Sequence, residues 1–153
     1  MSSNDRTDHE KANQLGVALP ARPVVYEINT WLWLRELSRK YGRRVSLADV
    51  PAADWDTLAA FRFDAVWLMG VWQRSAFGAT VDLQDPERRR QFDAVLPDWT
   101  DDDVIGSPYA VRCYEVDPVL GGNEGLAQAR AELARRGMSL ILDFTPNHVA
   151  RDH

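Results

Sequence analysis

The chain has 153 residues, the size of one small domain, and its 45% hydrophobic and 27% charged residues are ordinary for a soluble globular protein. Its net charge of −5 gives no electrostatic reason to expect a nucleic acid or an anionic membrane as a partner. No apolar run reaches the length of a membrane span, residues 1–10 carry no secretory signal, and the single cysteine excludes an internal disulfide. We therefore expect a cytoplasmic protein.

The amino-terminal end is predicted to lack regular structure. Residues 1–21 are mostly polar and without periodicity, so we expect a disordered tail before a single domain at residues 22–153. The domain begins with a β-branched and aromatic run at residues 24–28 that suits a buried strand. Residues 31–41 then predict one or two helical turns, with Gly42 as the stop.

A helix and a second strand are predicted next. Apolar residues recur at roughly helical spacing within residues 46–61, and Pro51 stands near the start of that helix. Residues 64–69 are apolar after the first of them and predict a strand that ends at Gly70. The order so far is strand, helix, strand.

The rest of the chain predicts a long excursion, a helix and a third strand. Residues 71–120 carry no strong strand signal and one helix at 86–95, and a connection of that length is usually functional. An apolar stripe predicts a helix at 123–136, stopped by Gly137, and residues 138–144 predict the third strand. Apolar strands that alternate with helices indicate an α/β fold with a parallel sheet.

Three polar residues lie at the end of the third predicted strand. Asp143 is the first charged residue of that strand, and Asn147 and His148 follow it. A carboxylate that interrupts an apolar strand is costly to bury without partners. Asp143 therefore predicts either a structural ion pair or loop cap, or a functional site. In (β/α)₈ barrels, reactive side chains lie at this end of the strands.

The same segment carries a family motif. Residues 142–149, which contain Asp-Phe-Thr-Pro-Asn-His, resemble the first conserved region of glycoside hydrolase family 13, the α-amylase superfamily. Residues 106–122 resemble the family's stretch between strands two and three, and residues 63–68 resemble its second strand. The resemblance covers residues 24–153 in the family's order. It implies the first three strands, with their helices, of a partial TIM (β/α)₈ barrel.

The resemblance also implies roles for individual residues. The aspartate of the motif supports the floor of the active site, usually paired with an arginine from strand four, and maps to Asp143. The histidine binds hydroxyls of the sugar next to the scissile bond and maps to His148, while Tyr109 matches the aromatic platform that stacks on that sugar. The asparagine often ligates a structural calcium, the one cofactor implied for the parent enzyme, and maps to Asn147.

No catalytic residue of the family is expected in this chain. Retaining hydrolysis needs a nucleophile and an acid/base about 5–5.5 Å apart, and the family supplies them from strands four and five. Because the chain ends after the third strand, we expect it to be inactive and, with two unpaired sheet edges, marginally stable by itself. Ala110 and Cys113 also stand where family members often carry acidic residues.

Three functions stay open at this point. The first is a fragment of an α-amylase-family glycosidase that acts on α-glucosidic bonds and binds an oligosaccharide or α-glucoside. The second is a non-catalytic carbohydrate-binding or regulatory module that keeps the sugar-facing loops. The third is a fragment of a transglycosylating relative, such as a trehalose- or sucrose-acting enzyme, which differs in water access and acceptor subsites.

Overall fold

The computed structural model describes residues 18–153, so most of the predicted tail lies outside the described residues. Among the helices of this part, none is long and apolar enough to cross a membrane. The described strands are β1 (Val25–Asn29), β2 (Ala65–Met69), β3 (Trp72–Arg74), β4 (Val111–Val116) and β5 (Ser139–Ile141). The described α-helices are α1 (Thr30–Tyr41), α2 (Ala52–Ala60), α3 (Ala76–Gln84), α4 (Pro86–Val95) and α5 (Gly122–Arg135).

Three strands form a parallel sheet in the order β1–β2–β5. The register places Glu27 beside Trp67, and Trp67 beside Ile141. Parallel neighbours need a crossover connection, and here helices lie between each pair of these strands along the chain. The predicted α/β fold with a parallel sheet is therefore confirmed.

The hydrophobic core lies on one face of this sheet. Side chains alternate between the two faces of a strand, so Ile28 of β1 lies on the same side as Val66 and Leu68 of β2. These three residues are buried in one cluster with apolar residues from the helices. The helical members that are buried in this cluster are Leu34, Leu37, Trp55, Leu58, Ala129 and Leu133.

The opposite face of the sheet is open by comparison. Glu27, Trp67 and Ile141 are neighbours in register on that face. Glu27 is exposed, and the other two side chains are half-buried. The carboxyl ends of the three parallel strands lie at the same end of the sheet. The loops that follow these strands therefore lie together at that end, beside the open face.

The prediction of no strong strand in residues 71–120 was wrong. β3 and β4 pair there as a two-stranded antiparallel sheet, with Trp72 beside Val116 and Arg74 beside Val111. Val111 and Val116 are both buried, although side chains five residues apart would point to opposite faces of a regular strand. The register shifts between these strands interrupt the regular alternation that marks a strand in a sequence.

The first helix is longer than predicted, and the second begins where it was predicted. α1 has 12 residues rather than one or two turns; Asn29 caps its start, and Gly42 ends it in the left-handed conformation, with φ 61°, at the predicted stop. α2 begins at Ala52, directly after Pro51, as predicted. Before it, the Asp49 carboxylate accepts the backbone N–H of Ser46 at 2.7 Å and holds that segment in a turn.

The third parallel strand is shorter than predicted. It pairs with β2 only over Ser139–Ile141, so Asp143 lies just past the strand rather than within it. At this level β2 has already ended, and the N–H of Gly70 donates to the Asp143 carboxylate at 2.5 Å rather than to a backbone carbonyl. Side-chain hydrogen bonds therefore replace the sheet ladder where the predicted site begins.

Candidate functional site

Asp143 is held in place by hydrogen bonds rather than by an ion pair. Only 7% of the residue is exposed. Its Oδ1 accepts the indole N–H of Trp67 at 2.8 Å, and its Oδ2 accepts the N–H of Gly70. Its backbone carbonyl accepts the indole N–H of Trp72 at 2.9 Å. Within residues 18–153 no cation lies within 4.0 Å of it, so of the two structural roles predicted, the loop cap describes Asp143 and the ion pair does not.

Gly70 brings the end of β2 within reach of Asp143. Its φ of 77° lies in the left-handed region, which favours glycine. A Cβ there would lie 2.8 Å from Arg74 Nη2 and 3.0 Å from Pro108 Cβ, so the position has no room for a side chain. Burial lowers the pKa of Arg74, and the negative charges of Asp117 and Asp143 partly offset that effect. Arg74 nonetheless stays cationic at neutral pH.

Tyr109 and His148 meet across two loops. His148 Nε2 lies 3.1 Å from the backbone carbonyl oxygen of Tyr109, and Nδ1 lies 3.0 Å from the side-chain oxygen of Asn147. Both partners are oxygen atoms that only accept, so each contact requires a hydrogen on its ring nitrogen, and a neutral imidazole can donate in one of the two contacts. The side chain of His148 is exposed, and its bond to Tyr109 ties the loop after β5 to the loop before β4.

The phenol of Tyr109 stays protonated over a wide pH range. Desolvation raises its pKa, and the negative charges of Asp143 and Glu27 raise it further. The residue is still 42% exposed, so its ring presents an accessible face and its hydroxyl a hydrogen-bond donor. These two properties suit a ligand with an apolar ring face and oxygen acceptors.

All four predicted site residues line one groove at the carboxyl end of the parallel strands. Its volume is about 460 Å³, within the range of small-molecule sites. Asp143 forms part of its floor, and Tyr109, Asn147 and His148 stand around it. The complete lining consists of Trp67, Tyr109, Ile141, Leu142, Asp143, Phe144, Thr145, Asn147 and His148.

Sequence reasoning missed several residues that shape this groove. Trp67 alternates with the core residues of β2 and so belongs to the open face, a position that strand periodicity alone could have identified. Glu27 is exposed beside it on β1, and its charge acts on the Tyr109 phenol. Trp72 and Tyr114 form hydrogen bonds with the groove-lining segment after β5. They lie on β3 and β4, two strands that the sequence did not predict.

The residues near Asn147 do not by themselves make a metal site. A calcium ion takes six to eight oxygen ligands, and Asn147 offers one side-chain oxygen, which faces His148. Across residues 18–153, no group of three or more His, Cys, Asp or Glu side chains is placed to hold a metal ion. Calcium ligation by Asn147 stays a prediction that depends on further oxygen ligands.

No protein family model, curated protein or solved structure matches the chain. What the groove can do chemically follows from its side chains. It offers an aromatic face at Tyr109, an imidazole at His148 and a carboxylate floor at Asp143. Aromatic faces stack on apolar ring surfaces, while imidazole and phenol groups bind hydroxyls. The groove thus combines apolar and aromatic side chains with a few hydrogen-bonding groups, as small-molecule sites do.

Proposed function

We propose that the groove binds one glucose ring of an α-glucoside and belongs to the first three strands of an α-amylase-type (β/α)₈ barrel. The observation that carries the proposal is the convergence of Tyr109, Asp143 and His148 in one groove above parallel strands. Asp143 and His148 come from the segment after β5, whereas Tyr109 comes from the loop before β4, so the motif at residues 142–149 does not by itself bring Tyr109 to them. Sugar-binding sites of such barrels lie at this end of the sheet.

The proposed sugar lies with its apolar face on the Tyr109 ring. Stacking excludes water from one face of the pyranose and fixes the plane of the ring. Hydroxyls at the ring edge then bind the imidazole of His148, with the sugar oxygen taking the place of Asn147 at Nδ1. Asp143 supports the floor of the groove, because its two oxygens accept hydrogen bonds from the Trp67 indole and the Gly70 backbone.

In the proposed barrel, the bond-breaking carboxylates lie on the fourth and fifth parallel strands of the barrel. These are not β4 and β5 of this chain. Retaining hydrolysis requires two carboxyl groups about 5–5.5 Å apart on either side of the bond. Asp143 is the one carboxylate among the groove-lining residues, and a single carboxylate cannot serve as both nucleophile and acid/base across the bond. We therefore expect this chain alone to release no sugar from maltose or a nitrophenyl α-glucoside.

Maltose titration tests the proposed function. Binding to the 153-residue chain is followed by the fluorescence of the tryptophans or by amide chemical shifts, with Trp67 as the reporter in the groove. Tyr109→Ala should weaken binding about three- to tenfold through lost stacking. Tyr26→Ala is the matched control, because Tyr26 is 44% exposed and does not line the groove. Equal binding by both variants would exclude the proposed site.

A second candidate is a carbohydrate-binding module without catalysis. The observation that favours it is the lining of the groove, which contains one carboxylate, whereas retaining hydrolysis needs two. A module must bind its sugar tightly without further strands, whereas part of a barrel leaves one side of the sugar open to water. A submillimolar dissociation constant for maltose, measured on the chain alone, would favour the module. A millimolar dissociation constant would favour the barrel.

Calcium binding at Asn147 is tested separately from sugar binding. An ion that binds only the folded state raises the melting temperature with its concentration. If Asn147 is a ligand, calcium should raise the melting temperature of the chain, chelator should reverse the effect, and Asn147→Ala should abolish it. An unchanged melting temperature in millimolar calcium would reject the prediction.

A further inference from the structure

Phe144 exposes a large apolar ring beside the proposed sugar. Its exposed fraction is 74%, although it directly follows the buried Asp143 in sequence. It lines the same groove as Tyr109. Exposing an aromatic ring to water is unfavourable by roughly 25 cal/mol for each Å² of apolar surface. Single exposed apolar residues are common on protein surfaces, so what distinguishes Phe144 is its place in the same groove as Tyr109.

The ring is held by the residues on both sides of it. The carbonyl of Asp143 accepts the indole N–H of Trp72 at 2.9 Å. The N–H of Thr145 donates to the hydroxyl of Tyr114 at 2.9 Å, and that hydroxyl donates to the Thr145 carbonyl at 3.3 Å. The backbone is therefore fixed immediately before and immediately after Phe144.

The side chain is also supported from behind. The Tyr114 ring lies 5.8 Å from the Phe144 ring, and the Trp72 ring packs edge-on against Tyr114 at 5.4 Å. Both distances are within the range of favourable aromatic pairs. Trp72 of β3 and Tyr114 of β4 thus form an aromatic cluster with Phe144. Phe144 is the outermost ring of the cluster and is exposed to solvent. A rigid ring loses little entropy when a ligand stacks on it.

We propose that Phe144 is a second stacking platform, which binds the sugar ring next to the one on Tyr109. The inference rests on the proposed function and deepens it by naming the residue that contacts the second ring of a disaccharide or longer α-glucoside. Phe144 has no hydrogen-bonding group, so it recognises the apolar C–H face of a pyranose and not a particular hydroxyl. Tyr109 and His148 provide the hydroxyl contacts, and Phe144 provides length selectivity.

The test compares a ligand of one ring with a ligand of two rings. Methyl α-glucoside and maltose are titrated into the wild-type chain and into Phe144→Ala. The variant should weaken maltose binding about three- to tenfold, as expected for a lost aromatic stack, and leave methyl α-glucoside within about twofold. Phe144→Tyr keeps the ring and should restore maltose binding.

Phe61→Ala is the matched control. Phe61 is 67% exposed and lies outside the groove, so its removal should change the binding of neither sugar. Because Phe144 is exposed, its variants should also melt close to the wild type, which separates lost binding from lost folding.

The outcomes distinguish this inference from the proposed function. If the wild type binds neither sugar, the proposed function fails, and the platform fails with it. If Tyr109→Ala weakens the binding of both sugars while Phe144→Ala binds maltose like the wild type, only the proposed role of Phe144 is overturned. Equal weakening of both sugars by Phe144→Ala would also overturn it, because the ring would then not contact a second sugar.

Discussion

Asp54 shows how one buried carboxylate joins two helices. Its Oδ1 accepts from Lys40 Nζ at 2.6 Å, and its Oδ2 accepts from the Tyr41 hydroxyl at 2.6 Å. Burial alone would raise the pKa of Asp54, but these hydrogen bonds outweigh it and hold the pKa below its usual value. The hydrogen bond that Lys40 donates to Asp54 in turn raises the pKa of Lys40. The end of α1 is thereby fixed to the start of α2.

Asp54→Asn should lower the free energy of unfolding by about 1–3 kcal/mol at neutral pH, because an amide accepts these bonds less strongly than a carboxylate. The folded pKa of Asp54 is depressed. Its contribution is therefore present above the unfolded value of about 3.9 and lost as the pH falls through the folded value. The Lys40 pKa is raised, so its contribution is lost only as the pH rises above its ordinary value of 10.5.

Urea denaturation from acid to alkaline pH measures this effect. The difference between wild type and Asp54→Asn should be constant near neutrality and should shrink below about pH 4. Asp102→Asn serves as the control. Asp102 is exposed, so its substitution should change the free energy of unfolding little at any pH. A difference that does not change with pH would show that the Asp54 charge plays no part.

At the same scale, sequence identified the polar residues of the site but not what holds them. Asp143 and His148 lie within one short motif, so a chemical pattern could reveal them. The partners of Asp143 come from distant positions, and Trp67 and Gly70 reach it only through strand register and a left-handed turn. Long-range hydrogen bonds of this kind leave no local pattern in the sequence.

At the scale of elements, the turn after β2 depends on glycine for two reasons. Gly70 has a φ of 77°, and a Cβ there would meet Arg74 Nη2 and Pro108 at 3.0 Å or less. Gly42, which ends α1, has a similar φ of 61° but nothing within 4 Å of a Cβ. The two glycines therefore share the backbone requirement and differ in the close contact.

Gly42→Ala should cost about 1–2 kcal/mol, the penalty of a left-handed alanine. Gly70→Ala should cost more, because the methyl group also displaces Arg74 or Pro108 and shifts the N–H that Asp143 accepts. Urea denaturation of both variants checks the order. Equal losses would mean that the close contact at Gly70 relaxes without cost.

The elements that sequence predicted best are those with regular periodicity. α5 was predicted within one residue at each end, since its apolar stripe packs directly on the core. α3 was missed because it has no apolar stripe. α4 also buries no residue, yet it was predicted with its observed bounds, because Pro86 at its first position marks the start of a helix. The pairing of β3 with β4 was missed because its bulges break the alternation of side chains. Irregular pairing and the lack of an apolar stripe therefore remove the signals on which prediction depends.

At the scale of the whole molecule, the parallel sheet is packed mainly on one side. Within residues 18–153, helices α1, α2 and α5 and the core cluster lie against one face, while Glu27, Trp67 and Ile141 lie on the other. β1 and β5 are the outer strands of the sheet, and their free backbone groups can pair with further strands. The proposed barrel would close both edges and would enclose the open face.

Two neighbouring residues of β5 test whether this face is open in solution. Leu140 is packed against the core cluster, whereas Ile141 points to the opposite face and lines the groove. Leu140→Lys should therefore lower the free energy of unfolding by about 2–4 kcal/mol, because it places a charge in the core. Ile141→Lys should change it by no more than about 1 kcal/mol, because its ammonium group remains hydrated. Urea denaturation at two protein concentrations measures both. A large, concentration-dependent loss for Ile141→Lys would mean that another copy of the chain covers this face.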